Sequence, residues 1–172
     1  PGMLHVSLVT SPYPAARITS IKTADAMAAP GVIDILTGDT LTSGVNPLSN
    51  SVDTPGVRCY PLAHEVVRYA GEWVVAVIAG SRALAEDAAE LIEINYSSLD
   101  HVIDAERALD PASPPVHEGH GSNILYQRTF TWGPVAKDFA SQPNQLSFKL
   151  RWGRSAPVPV ETFGVVAEWN PG

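Results

Sequence analysis

An α+β fold follows from three features of the chain. Trp73–Ala79 (WVVAVIA) is a continuous apolar run of seven residues, the pattern of a strand covered on both faces. Directly after it, Leu84, Ala88, Leu91 and Ile92 fall at i, i+4, i+7 and i+8, one apolar stripe along a helix. Short β-rich segments separated by Pro and Gly precede both.

Taken in order, Met3–Val9 is expected as the first strand, ended by Ser11-Pro12-Tyr13-Pro14 because proline lacks the ladder donor and restricts its predecessor. Ala16–Lys22 is a second strand. Thr23 is placed to cap a short helix over Ala24–Ala29, with Asp25 in its first turn, and Pro30-Gly31 stops it before a third strand at Val32–Leu36. Thr37–Pro61 is rich in Gly, Ser, Asn, Thr and Pro and reads as a long surface loop with one helical turn near Asp39–Leu41. A loop of that length usually serves function, mobility or an interface. Val66–Tyr69 and Trp73–Ala79 are strands joined at Ala70-Gly71. Ser81 is the expected N-cap of the following helix, with Glu86 and Asp87 early enough to favour its dipole. Ala83, Ala85, Ala88 and Ala89 keep that helix slim enough to lie close to a sheet, and Glu93–Tyr96 is the next strand. Asp104–Leu109 is a short helix capped by Asp104. Asp110–Ser122 carries three prolines and two glycines and marks a domain boundary. Beyond it are expected a strand at Ile124–Trp132, a helix at Pro134–Ala140 with Pro134 at its first position, and strands near Gln145–Trp152 and Phe163–Trp169.

The 172 residues suit one domain or one domain and part of another, and with 45% hydrophobic and 17% charged residues there is material for a real core. The net charge of −7, with no basic run, argues against nucleic acid as a partner. No apolar run approaches the roughly 18 residues of a membrane span, and the N-terminus has none of the regions of a signal peptide. The single cysteine, Cys59, excludes an intrachain disulfide and a four-cysteine cluster, reads as a partly buried loop thiol, and fits a cytoplasmic compartment. The chain opens on Pro1 and stops at Pro171-Gly172 beside a predicted strand, as a fragment of a longer polypeptide would.

Motifs for chemistry fail one by one. His64-Glu65 begins a zinc-protease HExxH, but Arg68 occupies the second histidine's place. His117-Glu118-Gly119-His120 has HxxH spacing in a loop, where polar residues are commonplace. Gly119-x-Gly121 lacks the third glycine of a dinucleotide fingerprint, and neither a phosphate loop nor a GxSxG elbow is present. Ser98, Asp100 and His101 are sequence neighbours, whereas triads are recognised by spatial geometry. Glu86, Glu90 and Glu93 read as a solvent face. Trp73, Trp132, Trp152 and Trp169, within or beside predicted strands, read as core or interface packing. No catalytic, cofactor-binding or metal-binding residue is assigned.

Two blocks carry a family resemblance. PGMLHVSLVTSPYPAARITSIKTADAMAAPGVIDILTGDTL (Pro1–Leu41) resembles the start of the α/β-hammerhead domain of the molybdopterin-binding large subunit of molybdenum hydroxylases, the xanthine dehydrogenase / aldehyde oxidase / carbon monoxide dehydrogenase family. VRYAGEWVVAVIAGSRALAEDAAELIEINY (Val67–Tyr96) is similar to that family's VRYVGEPVAVVVA strand and ALAEDAAE helix. Val116–Asn123 and Thr131–Ala140 look like the entry into the first molybdopterin-binding domain, and RSAPVPVE (Arg154–Glu161) resembles that domain's R-x-x-P-x-P-M-E segment. Thr10, Tyr13-Pro14, Trp73 and Val160 depart from the family's usual residues. The resemblance implies a hammerhead domain over residues 1–112 and an incomplete molybdopterin-binding domain over 113–172. It implies a parent oxidoreductase that hydroxylates an aldehyde, a heteroaromatic or a similar small substrate with oxygen from water. That parent would use a molybdopterin cofactor, with [2Fe–2S] clusters and FAD on partner domains or subunits, in an assembled dimer. The fragment's own part would be scaffold and interface, with Thr37–Pro61 or the 69–73 turn meeting a partner. Two other function classes stand beside it: a stand-alone protein-binding module, and an unmarked hydrolase using Ser98, His101 and a carboxylate.

Overall fold

The computed structural model describes residues 2–48, 54–153, 160 and 164–170. Two compact units divide the chain, one running to Arg128 and one from Thr129.

Among the described residues, the first unit holds six strands and three α-helices: β1 (His5–Thr10), β2 (Ala16–Lys22), α1 (Ala24–Met27), β3 (Val32–Thr37), α2 (Gly38–Thr42), β4 (Val66–Val67), β5 (Trp73–Ala79), α3 (Arg82–Ala89) and β6 (Glu93–Ser98). They form two antiparallel three-stranded sheets, in order β1-β5-β3 and β4-β2-β6. Successive strands therefore alternate between the sheets all along the chain. No two consecutive strands pair, so no tight hairpin is needed, and every connection must cross from one sheet to the other.

The buried run at the centre is as expected. Val74, Val75 and Val77 have no exposed surface, because β5 is the middle strand of its sheet. Helix α3 packs over β1 and β5 through Ala85 and Ala88, both fully buried. Alanine leaves no bulk between helix and sheet, so the backbones approach closely. A single core cluster joins Ile35, Val75 and Val77 of one sheet to Ala16 and Val67 of the other, with Ile18, Ile94 and Tyr96 packed against it. The strand–helix–strand unit thus exists, but its two strands lie in different sheets and α3 spans the step between them.

Local differences have local causes. Thr23 precedes α1, but its side chain makes no capping bond, since its backbone is already in the helical region (φ −116°, ψ −5°). The helical turn near Asp39 is a capped helix: Thr37 accepts from Thr40 N–H, and Thr40 accepts from Thr37 N–H. Ser81 caps α3 through Leu84 N–H. Glu86 lies in no first turn; it pairs with Arg82 at 2.7 Å, one turn back along the helix. Helix α3 ends at Ala89, so Leu91 falls beyond the stripe and is exposed. Asp104 accepts from the N–H groups of Glu106 and Arg107, but what it starts is a single 3₁₀ turn at Arg107–Leu109.

In the second unit, α4 (Val135–Ala140) forms with Pro134 one position earlier than expected, at the N-cap. The strands expected at Ile124–Trp132, Gln145–Trp152 and, over its described part, 164–169 are absent. A strand exists only when an edge accepts its ladder. Around residue 124 the carbonyls are taken by side chains instead: Ile124 O by His120 and Leu125 O by Thr54. Over 146–152 the apolar side chains stand in solvent, with Trp152 91% exposed and no ladder formed. Trp132 and Trp169 are likewise exposed, and Trp73 half so, which removes core packing as their role here. Trp132 stacks on Phe130 at 5.9 Å. RSAPVPVE lies outside the described residues except for Val160.

Candidate functional site

A cavity of about 480 Å³ opens at one end of the first unit. Five segments wall it: the β1–β2 link and the start of β2 (14–17), 56–58, 64–68 around β4, 99–102 after β6, and 114–119. It gathers three groups that are far apart in sequence: His64, Glu65 and Arg68; Asp100 and His101; His117 and Glu118. Arg17 and Arg58 complete its charged wall. Ser98, the would-be nucleophile, does not line it, and neither does His120.

Three local structures shape the wall. Glu65 has φ 61°, the only positive value outside glycine among the described residues, and Val66 N–H donates to His64 O at 2.7 Å across it. That is a γ-turn of the rarer, strained hand. Its carbonyl accepts from Ile18 N–H at 2.8 Å, so the kink is tied to β2. Next to it, Arg68 donates through Nη1 to Val66 O at 3.2 Å, while its Nε is buried without a hydrogen-bond partner among the described residues. An unpaired buried N–H costs about 1–3 kcal/mol. Finally, Glu72, in the turn that leads into β5, accepts from Arg68 N–H. Burial raises the Glu72 carboxyl above the ordinary carboxylate range, against the lowering effect of its bonds to the Arg68 and Tyr69 backbone and of the Arg68 charge.

The opposite wall is a folded-back segment. Asn123 accepts from Val116 N–H at 2.8 Å and donates to Pro114 O at 3.1 Å and Ala108 O at 3.3 Å. One amide thereby staples the proline-rich stretch onto the 3₁₀ turn. At Gly56 (φ +80°) the backbone runs so close to Gly119 that a Cβ there would sit 2.1 Å from Gly119 O. His117 is half-buried and pushed below the ordinary histidine value, first by burial and then by Arg68 and His120. On the cavity wall its neutral form is favoured.

This set does not make a metal centre. No group of three or more His, Cys, Asp or Glu side chains able to hold a metal occurs among the described residues. His64 Nε2 is already engaged by Asp39 at 3.1 Å. Nor does it make a hydrolytic triad, because Ser98 is not part of the wall. What the arrangement can do is accept a polar group or side chain among guanidinium, imidazole and carboxylate partners. Sequence spacing could not show this, since the three groups meet only through the alternation of strands between sheets. Nothing in the sequence marks Arg17, Arg58 or Asn123 as part of this site.

The first unit, with its two interleaved sheets and the alanine-faced helix, matches over residues 1–100 the family model described as aldehyde oxidase and xanthine dehydrogenase, a/b hammerhead domain. The chain belongs to that family. It is 36% identical to the carbon monoxide dehydrogenase large chain of Hydrogenophaga pseudoflava, over 99% of this chain and 23% of that one. With the nicotine 6-hydroxylase large subunit of Paenarthrobacter nicotinovorans it shares 32% identity over 98% of this chain and 21% of the relative. Among solved structures, quinoline 2-oxidoreductase of Pseudomonas putida 86 superposes with a TM-score of 0.74 at 35% identity, over 83% of this chain and 18% of that one. The hammerhead chain spans about a fifth to a quarter of the length of these curated relatives. No described helix is long and apolar enough to cross a membrane.

Proposed function

We propose that this hammerhead chain is the N-terminal scaffold and interface part of the large subunit of a cytoplasmic molybdenum-dependent hydroxylase or dehydrogenase. The parent enzyme would oxidise an aldehyde, a heteroaromatic or a similar small substrate with oxygen from water. One observation carries this: almost the whole chain aligns with large subunits of such enzymes, but with less than a quarter of their length. Residues 1–112 are assigned to the hammerhead domain and 113–172 to the beginning of a molybdopterin-binding domain. Residues 113–128 would then be a linker folded onto the first domain, as the Asn123 staple supports. The molybdenum cofactor would be held by other parts of the enzyme, with [2Fe–2S] and FAD groups on partner domains or subunits. The Thr37–Pro61 loop or the 69–73 turn is the proposed contact with those partners.

The test is to isolate the gene's complete product with its co-expressed subunits. Metal content and dye-linked oxidation of a panel of aldehydes, N-heteroaromatics and carbon monoxide are then measured. Molybdenum in the complex and turnover of one class are expected. A complex without molybdenum and without turnover of any class would overturn the proposal. Deleting residues 40–58 from the full-length subunit should weaken subunit assembly, and unchanged assembly would reject the loop as an interface.

A further inference from the structure

His120 is held in a way that a neutral imidazole cannot satisfy. Its Nδ1 lies 2.9 Å from Pro55 O and its Nε2 lies 3.0 Å from Ile124 O. Both partners are backbone carbonyls, which only accept. A neutral imidazole has one N–H to donate, and its other nitrogen would turn a lone pair toward the second carbonyl. Both bonds exist together only in the imidazolium. Pro55 and Ile124 belong to segments that nothing in the local sequence joins, and they meet where Gly56 and Gly119 pack backbone to backbone at the cavity wall.

The geometry points to His120 as a pH-sensitive clamp that fastens the 54–58 loop to the 119–125 segment and so closes one wall of the cavity. The charged and titratable groups around it are few. His117 and Glu118 lie on its own segment, Arg58 is on the facing loop, and Arg68 stands on the cavity wall beyond His117. The 122–125 stretch contributes none. His117 and His120 repel when both are charged, and that repulsion helps to lower the His117 value. The two carbonyls, Ile124 first and Pro55 second, raise His120 above its ordinary value of 6.5, against a small opposing effect of burial. The folded value is the raised one, so the clamp's contribution to stability is complete below 6.5 and is lost as pH rises through the folded value. Loss of the proton removes one of the two bonds and loosens the junction of the loop and the 119–125 segment, which Thr54 on Leu125 O still joins.

Nitrogen NMR of the full chain tests this directly, with the His120 ring signals identified by their absence in His120→Gln. At pH 6 both ring nitrogens should carry imidazolium shifts, and the titration midpoint should lie above 6.5. Across that midpoint, hydrogen exchange at Gly56, Val57 and Gly121 should accelerate beyond the tenfold per pH unit of base-catalysed exchange. In His120→Gln the exchange should follow the tenfold rule throughout. A midpoint at or below 6.5, a single neutral tautomer at pH 6, or the same excess acceleration in His120→Gln would each overturn the clamp. Should the variant fail to fold, the ring titration of the unsubstituted chain, with signals assigned through the backbone, decides alone.

Discussion

Glu65 and Gly56 take opposite sides of the same steric rule. Glu65 pays for a left-handed backbone in a γ-turn, a conformation that typically costs a side-chain-bearing residue about 1–3 kcal/mol. Such strain persists only where the surroundings hold it, here through Ile18 N–H on its carbonyl. Glu65→Gly should therefore raise stability by about 0.5–1 kcal/mol in denaturant melts, after the unfolded-state entropy of glycine is counted. A loss of stability would mean that the Glu65 side chain holds the turn. Gly56 avoids the penalty but faces backbone, so Gly56→Ala cannot be relieved by a rotamer change. It should destabilise by about 2 kcal/mol or more, with the largest exchange increases along 117–124. Neither position is marked by sequence. A glutamate at positive φ is contrary to propensity, and a glycine in a Gly- and Pro-rich loop looks like any other turn residue.

Strand β5 and helix α3 were legible in advance because their signals are internal to each segment. Seven apolar residues in a row need cover on two faces, and a stripe of alanines needs a sheet to lie against. Val77→Ala at the centre of β5 should cost about 2–3 kcal/mol, since a fully buried side chain in a middle strand leaves a cavity that two neighbouring strands cannot collapse. Removing the α3 cap with Ser81→Ala should cost less, about 0.5–1 kcal/mol, because its bond to Leu84 N–H is long at 3.4 Å. The segments expected as strands at 124–132 and 145–152 have equally strong local signals and form none. Leu146, Phe148, Leu150 and Trp152 alternate as a strand should, and all four are exposed. Alternation expresses a capacity to pair, and the partner edge has to come from elsewhere.

Titration of the folded chain combines contributions of opposite kinds. Glu72 has a raised folded value, so relative to its unfolded state it binds its proton more tightly. Its contribution is present below 4.5, the ordinary glutamate value, and is lost as pH rises through the raised value. Stability should therefore show a component that declines with pH just above that point. Glu72→Gln, which copies the protonated carboxyl, should flatten it in melts taken from pH 4 to 7. An unchanged slope would refute the assignment to Glu72. Limited proteolysis should separate the two compact units near Arg128, leaving the Asn123-stapled stretch with the first.

The amino-acid order by itself determined the elements whose evidence is short-range: the double-covered strand, the slim helix with its serine cap, the stops at Pro30-Gly31, and the family blocks at Pro1–Leu41 and Val67–Tyr96. Only the tertiary structure decided which strands pair. It sends successive strands to different sheets and brings His64, Asp100 and His117 to the lining of one cavity. It also converts His120 from a loop histidine into a bridge between two carbonyls. Periodicity reports what one segment must bury, while pairing and site assembly depend on distances between segments that periodicity does not encode.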